Sequence, residues 1–435
     1  SMSGNDAINF MSGSPLNRLS WLRNSSKFIN AASLSPSARW LLFRAGDPLV
    51  HKQSGRPVEL PTKRIEHLLG PTPYFGHGKR EGEVQDPTEE TTKGLASARI
   101  RGPTAIFLGF WEGKGGDDAV SAVAGGAVKG DAYFALDVSK VEQEALDRVQ
   151  STADQSESEL VYTPARLAVS RFDKQYAAIY ASAKAMIEWN SRINFCGSCG
   201  SPVYSLWAGW KLACSSLLPW SEPREPPCPT TSGLHAHQYP RTDTAIIVGI
   251  IDQSGDKILL GRNKKFPGLF YSTLAGFVEP GETFEEAVAR EIYEESGVKV
   301  HDVAYHSTQP WPYPGNLMVG FYARADSTKP LNLELDTELS GHGSFNVTSF
   351  VDAKWFTRAE VQEVLSHPDG TNLAARDNKQ LDSIVSGKTT DPATSQAVVG
   401  VEEAVLKNQP PFRVPPISSV AGVLISEWVY GKAKL

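Results

Sequence analysis

The chain has 435 residues, room for two or three domains with cores of their own, and its 40% hydrophobic and 21% charged content is that of an ordinary globular protein. A net charge of −6 argues against a broad electrostatic footprint for nucleic acid or an anionic membrane surface. No stretch approaches the ~18 consecutive apolar residues of a membrane span, so no membrane partner is expected.

Residues 1–190 predict an α+β domain without a chemical motif of its own. The stretches 104–111 (TAIFLGFW) and 132–138 (AYFALDV) read as strands, with a helix near 140–150. The glycine-rich turns that begin at Gly113 and Gly125 lack the strand–loop–helix order of a dinucleotide or P-loop site. Across 164–190, Phe172, Tyr176, Ile179, Ala183 and Ile187 recur at helical spacing, which predicts one helix leading into the next segment.

That segment, 191–238, holds all four cysteines of the chain: Cys196, Cys199, Cys214 and Cys228. The Cys-x-x-Cys-Gly turn points two thiolates at one ion, and the later pair completes a tetrahedral zinc site. Disulfides and a redox Cys-x-x-Cys are the competing readings. No secretory signal supports the first, and the second has no use for Cys214 and Cys228. The later pair is separated by Ser215–Pro227, an insertion rich in proline. No open ligand position is apparent, so the zinc is expected to be structural.

A third domain is expected over 239–435. Residues 244–252 and 257–262 read as strands joined by a turn at Ser254-Gly255, followed by strands at 274–278, 298–306 and 317–325 and one ending at Trp355-Phe356. Thr357 with Glu360 predicts a capped helix, 366–396 a polar insertion, and 411–430 a helix after its prolines. The centre of this domain is 276–298, GFVEPGETFEEAVAREIYEESGV. Thr283 and Glu286 form a capping box, and Gly297 ends the helix. At about 100° per residue Phe284, Ala287, Val288 and Ile292 form an apolar stripe, with Glu285, Glu286, Arg290 and Tyr293 on the outer face.

Glu291, Glu294 and Glu295 lie beside that stripe, where burial begins. A Glu-rich helix usually presents a solvated face. Three carboxylates at the edge of a core would instead repel one another unless divalent cations sat between them. Magnesium or manganese held by carboxylates and still carrying waters suits phosphate chemistry, because it neutralises a diphosphate and activates a bound water.

Gly276, Glu282 and the run Arg290-Glu291-Ile292-Tyr293-Glu294-Glu295-Ser296-Gly297-Val298 match the Nudix box at every defined position. The following Thr308-Gln309-Pro310-Trp311-Pro312-Tyr313-Pro314 resembles the Ser-Gln-Pro-Trp-Pro-Phe-Pro array of the NADH pyrophosphatase branch, with Thr308 and Tyr313 as mild departures. The resemblance implies an α/β fold, a Nudix α/β/α sandwich preceded by a zinc ribbon and an α+β domain. It implies hydrolysis of the diphosphate of NAD(H) to nicotinamide mononucleotide and AMP, or removal of an NAD cap from an RNA 5′ end. An ADP-ribose or other nucleoside-diphosphate hydrolase is the alternative within the class. A zinc-ribbon nucleic-acid-binding protein with an inactive Nudix fold is the alternative outside it.

By the same resemblance, Glu282 and Arg290 form a structural ion pair. Glu291, Glu294 and Glu295 bind the catalytic metal and supply the general base, with Glu295 favoured for that role. Phe277 stacks on a base, Ala275 and Gly276 offer backbone groups, and Gln309, Trp311, Tyr313 and Ala421 line the substrate site. Tyr239 reaches a substrate across a homodimer. A fourth acidic ligand is expected before Trp355, and Glu338 fills the place if Ser340–Ser349 is an insertion. The closing Ala433-Lys434-Leu435 resembles the Ser-Lys-Leu address read by the peroxisomal import receptor, so the expected location is the peroxisome.

Overall fold

The computed structural model describes residues 9–74, 97–100, 102–126, 129–151, 159–218, 221–263, 269–335, 350–371 and 409–433. The chain divides into two compact units, one of Gly13–Thr242 and the other of Asp243 onward together with the segment that ends at Ser12.

The first unit runs β1 (Leu16–Asn17), α1 (Ser26–Leu34), β2 (Arg39–Arg44), β3 (Asp47–His51), α2 (Thr62–Leu69), β4 (Thr104–Trp111), α3 (Asp118–Val123), β5 (Asp131–Asp137), α4 (Gln143–Ser151), β6 (Leu160–Tyr162), α5 (Ala165–Val169), α6 (Lys174–Arg192), β7 (Val203–Leu206) and β8 (Lys211–Cys214). Six of its strands form one sheet in the order β1-β4-β5-β2-β3-β6, and β7-β8 is a separate hairpin. The core is aromatic: Trp40 stacks on Phe134 at 4.5 Å, and Phe28 meets Phe107 and Phe110. The strands expected at 104–111 and 132–138 and the helix near 140–150 are all present. The single helix expected over 164–190 is two. Asp173 accepts the backbone N–H of Tyr176 (2.9 Å) and so begins a new helix at Lys174, which leaves Ser170–Phe172 as a bend after α5.

The second unit contains β9 (Asp243–Asp252), β10 (Lys257–Asn263), β11 (Leu274–Phe277), α7 (Phe284–Ser296), β12 (Val300–Trp311), β13 (Asn316–Ala325), β14 (Phe350–Thr357), α8 (Arg358–Ser366) and α9 (Val420–Val429). The sheet order is β12-β13-β9-β10-β14, with β11 also pairing β9. Strand β9 is buried almost throughout because both its faces are covered. Side chains alternate along a strand, and here the alternation assigns the two layers. Ile246, Val248 and Ile250 join Ala287, Val288 and Ile292 of α7. Ile247 and Ile251 join Leu424, Ile425 and Trp428 of α9 and Val361 of α8. The result is a sheet between two helical layers. Gly249 lies on the α9 side, where an added Cβ would come within 2.7 Å of the Tyr322 ring. No helix among the described residues is long and apolar enough to cross a membrane.

The closing tripeptide from Lys434 on, Glu338, and 372–396 of the expected polar insertion lie outside the described residues.

Candidate active site

Helix α7 begins and ends as its sequence requires. The Thr283 hydroxyl accepts the Glu286 N–H (3.2 Å), the Glu286 carboxylate accepts the Thr283 N–H (2.7 Å), and Gly297 caps the C-terminus with φ 72°. The buried stripe is Ala287, Val288, Ile292 and Glu295. Phe284 is not part of it. Placed in the first turn, it remains 41% exposed, with its ring 6.1 Å from that of Phe321.

The three carboxylates meet three environments. Glu295 is buried, 4% exposed, on the core side of the helix. The Glu291 side chain is largely buried and its carboxyl is pushed up, first by burial and then against the pull of Arg290. Glu294 projects further into solvent. Arg290 organises the group. It binds Glu282 through two hydrogen bonds (2.6 and 2.9 Å) and reaches Glu291 and Glu294 at 3.0 Å each. Its remaining donor meets the carbonyl of Phe277 (2.9 Å), so one guanidinium joins loop, strand and helix. Glu282 also accepts the Glu279 N–H (2.9 Å), and the bond from Arg290 holds its carboxyl down at about 2. The expected structural pair of Glu282 and Arg290 is therefore present.

Strand β11 sets the opposite wall. A Cβ at Gly276 would fall on the Glu291 carboxyl, so only glycine leaves that carboxylate its place. Phe277, the next residue, is 42% exposed and presents an open ring face. Four carboxylates, Glu282, Glu291, Glu294 and Glu295, against one Arg290 fit a divalent cation by donor chemistry, since oxygen ligands of surplus negative charge are what magnesium and manganese take.

The aromatic array is only partly as expected. Trp311 and Tyr313 meet edge to face (5.3 Å), with Trp311 partly accessible and Tyr313 buried. Gln309 does not offer its amide to a ligand. It is 1% exposed, donates to the carbonyls of Phe10 and Ser418 (2.8 Å each) and accepts the Val420 N–H (2.8 Å). Its amide ties β12 to α9 and to the N-terminal segment. Ala421 is likewise part of the apolar layer under α9, and Ala275 packs partly against that layer. Tyr239 belongs to the other unit, where its ring lies 5.9 Å from Trp207 and 5.2 Å from the Lys211 ammonium.

Sequence reasoning missed the N-terminal segment entirely. Buried Asn9 donates to the Ser307 hydroxyl (2.9 Å) and the Thr308 carbonyl (2.8 Å), and His306 bridges Ser307 and Glu427 (2.7 and 2.9 Å). No local signal announces such contacts.

In the first unit the four sulfurs all lie within 4.8 Å of one another, with Cys199–Cys214 at 3.4 Å and Cys196–Cys228 at 3.8 Å. Thiolates placed tetrahedrally about one ion at ~2.3 Å would stand close to these separations. Among the described residues this is the one group of side chains already gathered to hold a metal. The Ser215–Pro227 insertion does not break the site, because Arg224 folds back to donate to the Cys199 carbonyl (2.9 Å). The Ser201 hydroxyl lowers the Cys199 thiol to about 6, while burial raises Cys214 to about 11.

A carboxylate helix closed by an arginine clamp against a glycine strand, in a sheet layered between helices, is the architecture of a Nudix hydrolase. The family model described as the NUDIX domain matches residues 240–375, and that of the NADH pyrophosphatase-like rudimentary NUDIX domain matches 37–189. The chain is 32% identical over 361 residues to the NAD-capped RNA hydrolase of Schizosaccharomyces pombe, covering 81% of this chain and 84% of that protein. It is 31% identical over 368 residues to the human NAD-capped RNA hydrolase NUDT12, covering 82% and 68%. With the NAD-capped RNA hydrolase NPY1 of Saccharomyces cerevisiae the identity is 30% over 376 residues, covering 82% and 87%. The chain belongs to the Nudix hydrolase family, in its NADH pyrophosphatase branch.

Proposed function

We propose that this enzyme hydrolyses the diphosphate of NAD(H) to nicotinamide mononucleotide and AMP, and that it removes NAD caps from RNA by cleaving the same bond. The observation that carries the reading is the intact carboxylate helix within a chain that matches NAD-capped RNA hydrolases over most of its length. Glu291, Glu294 and Glu295 are the proposed holders of magnesium or manganese, with Glu338 as a further ligand. When bound, such ions neutralise the diphosphate and acidify a water. Buried Glu295 takes the proton of the attacking water. Arg290 keeps the loop closed on the helix through Glu282, and the exposed Phe277 ring gives one base a stacking face. Trp311 is the second aromatic contact. Tyr239 is proposed to act across a homodimer.

The four cysteines hold one structural zinc in this reading, because soft thiolates in a closed tetrahedral set suit that ion. Ala433–Leu435 is proposed as the peroxisomal address, and an N-terminally tagged chain lacking it should redistribute to the cytosol. The substrate assignment is tested by measuring turnover of NADH, NAD, ADP-ribose and NAD-capped RNA under one set of conditions. NADH or capped RNA should have the highest kcat/KM; a clear preference for ADP-ribose would overturn the assignment.

A further inference from the structure

Far from the carboxylates in sequence, the first unit carries two arginines on one indole. The Arg23 guanidinium is centred 3.6 Å from the Trp210 ring centroid, and that of Arg18 lies 5.9 Å from the same ring. Trp210 is itself fixed, because its Nε1–H donates to the Phe107 carbonyl (2.7 Å). Arg18 donates to the Ser182 hydroxyl (3.0 Å), and among the described residues neither arginine meets a carboxylate. Glu112, on the residue after β4, accepts from Asn17 (2.7 Å) instead. Arg23 is only 9% exposed and its Nε–H is buried without an acceptor. Burial, and then the charge of Arg18, push Arg23 down to about 10.

An indole face attracts a cation but accepts none of the in-plane N–H bonds of a guanidinium. Two like charges held together with donors left over, on a chain of net charge −6, call for an anion with several acceptor oxygens. Phosphate has that geometry. The turn between the two arginines, Ser20–Leu22, carries Trp21, which is 65% exposed. A bare tryptophan beside a phosphate site is useful only to a ligand that brings a base with its phosphate.

We infer that Arg18 and Arg23, backed by Trp210, bind a phosphodiester of RNA, with Trp21 stacking on an adjoining base. The inference builds on the capped-RNA reading and gives that substrate a contact beyond its cap. All four residues lie outside the carboxylate site.

The test is fluorescence anisotropy of a labelled, uncapped RNA decamer with the full chain. Such an RNA carries no scissile diphosphate, so a failure of cap hydrolysis leaves this measurement intact. Arg18→Gln should weaken binding about fivefold and lower the salt slope by about one contact, and Arg18→Lys should restore the slope in part. Trp21→Ala should weaken binding about fivefold or more without altering the slope. Both side chains are exposed, and NADH turnover should be unchanged in each variant. Unchanged RNA affinity in both variants would overturn the site. Binding of inorganic phosphate that depends on Arg18, with no RNA binding, would overturn the RNA assignment.

Discussion

The four cysteines bring their sulfurs within 4.8 Å of one another, whereas the glutamates of α7 are spread around an arginine. The sulfurs converge because cysteine side chains are small enough to pack against one another in a core. The carboxylates cannot do this. Two of the three are turned onto Arg290, which also anchors Glu282 and the Phe277 carbonyl. The sulfurs are thus gathered within their own unit, whereas Glu291 and Glu294 share one guanidinium with Glu282.

Five substitutions break or sharpen that contrast. The largest effect is expected from Glu295→Gln, which keeps size and polarity but cannot take a proton. Turnover of NADH should fall roughly 10²–10⁴-fold with the melting temperature preserved. Near-normal turnover would remove Glu295 from the chemistry. Cys199→Ser should act in the opposite way, lowering stability by more than about 4 kcal/mol or causing aggregation, with loss of one zinc per chain by metal analysis. A stable but inactive variant would contradict a structural role.

Gly276→Ala tests the close approach of β11 to Glu291 without removing a charged group. Its methyl would displace the Glu291 carboxyl, and a displacement near 1 Å is worth about 10² in kcat. Wild-type turnover in this variant would mean that Glu291 need not lie where it does. Phe277→Ala should lower kcat/KM for NADH about 5- to 150-fold, the worth of a stack of about 1–3 kcal/mol, and spare a diphosphate without a base at that end. Equal losses on both compounds would assign Phe277 to the loop. The smallest effect is expected from Glu282→Gln. Because Arg290 lowers the Glu282 pKa from its ordinary 4.5 to about 2, the pair stabilises the fold above pH 4.5, and this contribution is lost as pH falls toward 2. Removing it should cost roughly 1–2 kcal/mol at neutral pH, discounted for partial exposure, and flatten acid unfolding between those limits. An unchanged acid limb would show that the pair does not link to folding.

What the sequence made legible was local. The capping boxes at Thr283 and Thr357, the Gly297 cap and the strands of the second unit depend on neighbours within a few positions, and all are present. The cysteine cluster was legible in part for the same reason, since Cys196 and Cys199 share one turn. Three readings failed, and in the first a distant partner decides. Gln309 resembles a ligand-facing amide until Phe10, Ser418 and Val420 supply its hydrogen bonds. Phe284 has the period of a core residue, but as the first residue of its helix it stays exposed. Asp173 interrupts a continuous helical period because one carboxylate can cap a backbone N–H.

The contact between Asn9 and Ser307 spans 298 positions of sequence. During synthesis Asn9 leaves the ribosome long before β12 exists, so its polar groups remain hydrated while the whole Gly13–Thr242 unit is made. Seating the segment then closes a loop of that length, and the entropic penalty grows only slowly with size, particularly when the intervening chain is already compact. The contacts of Asn9 with the catalytic sheet therefore form only after β12 has been made. A change at Asn9 or Phe10 would be felt at the strand that carries Trp311.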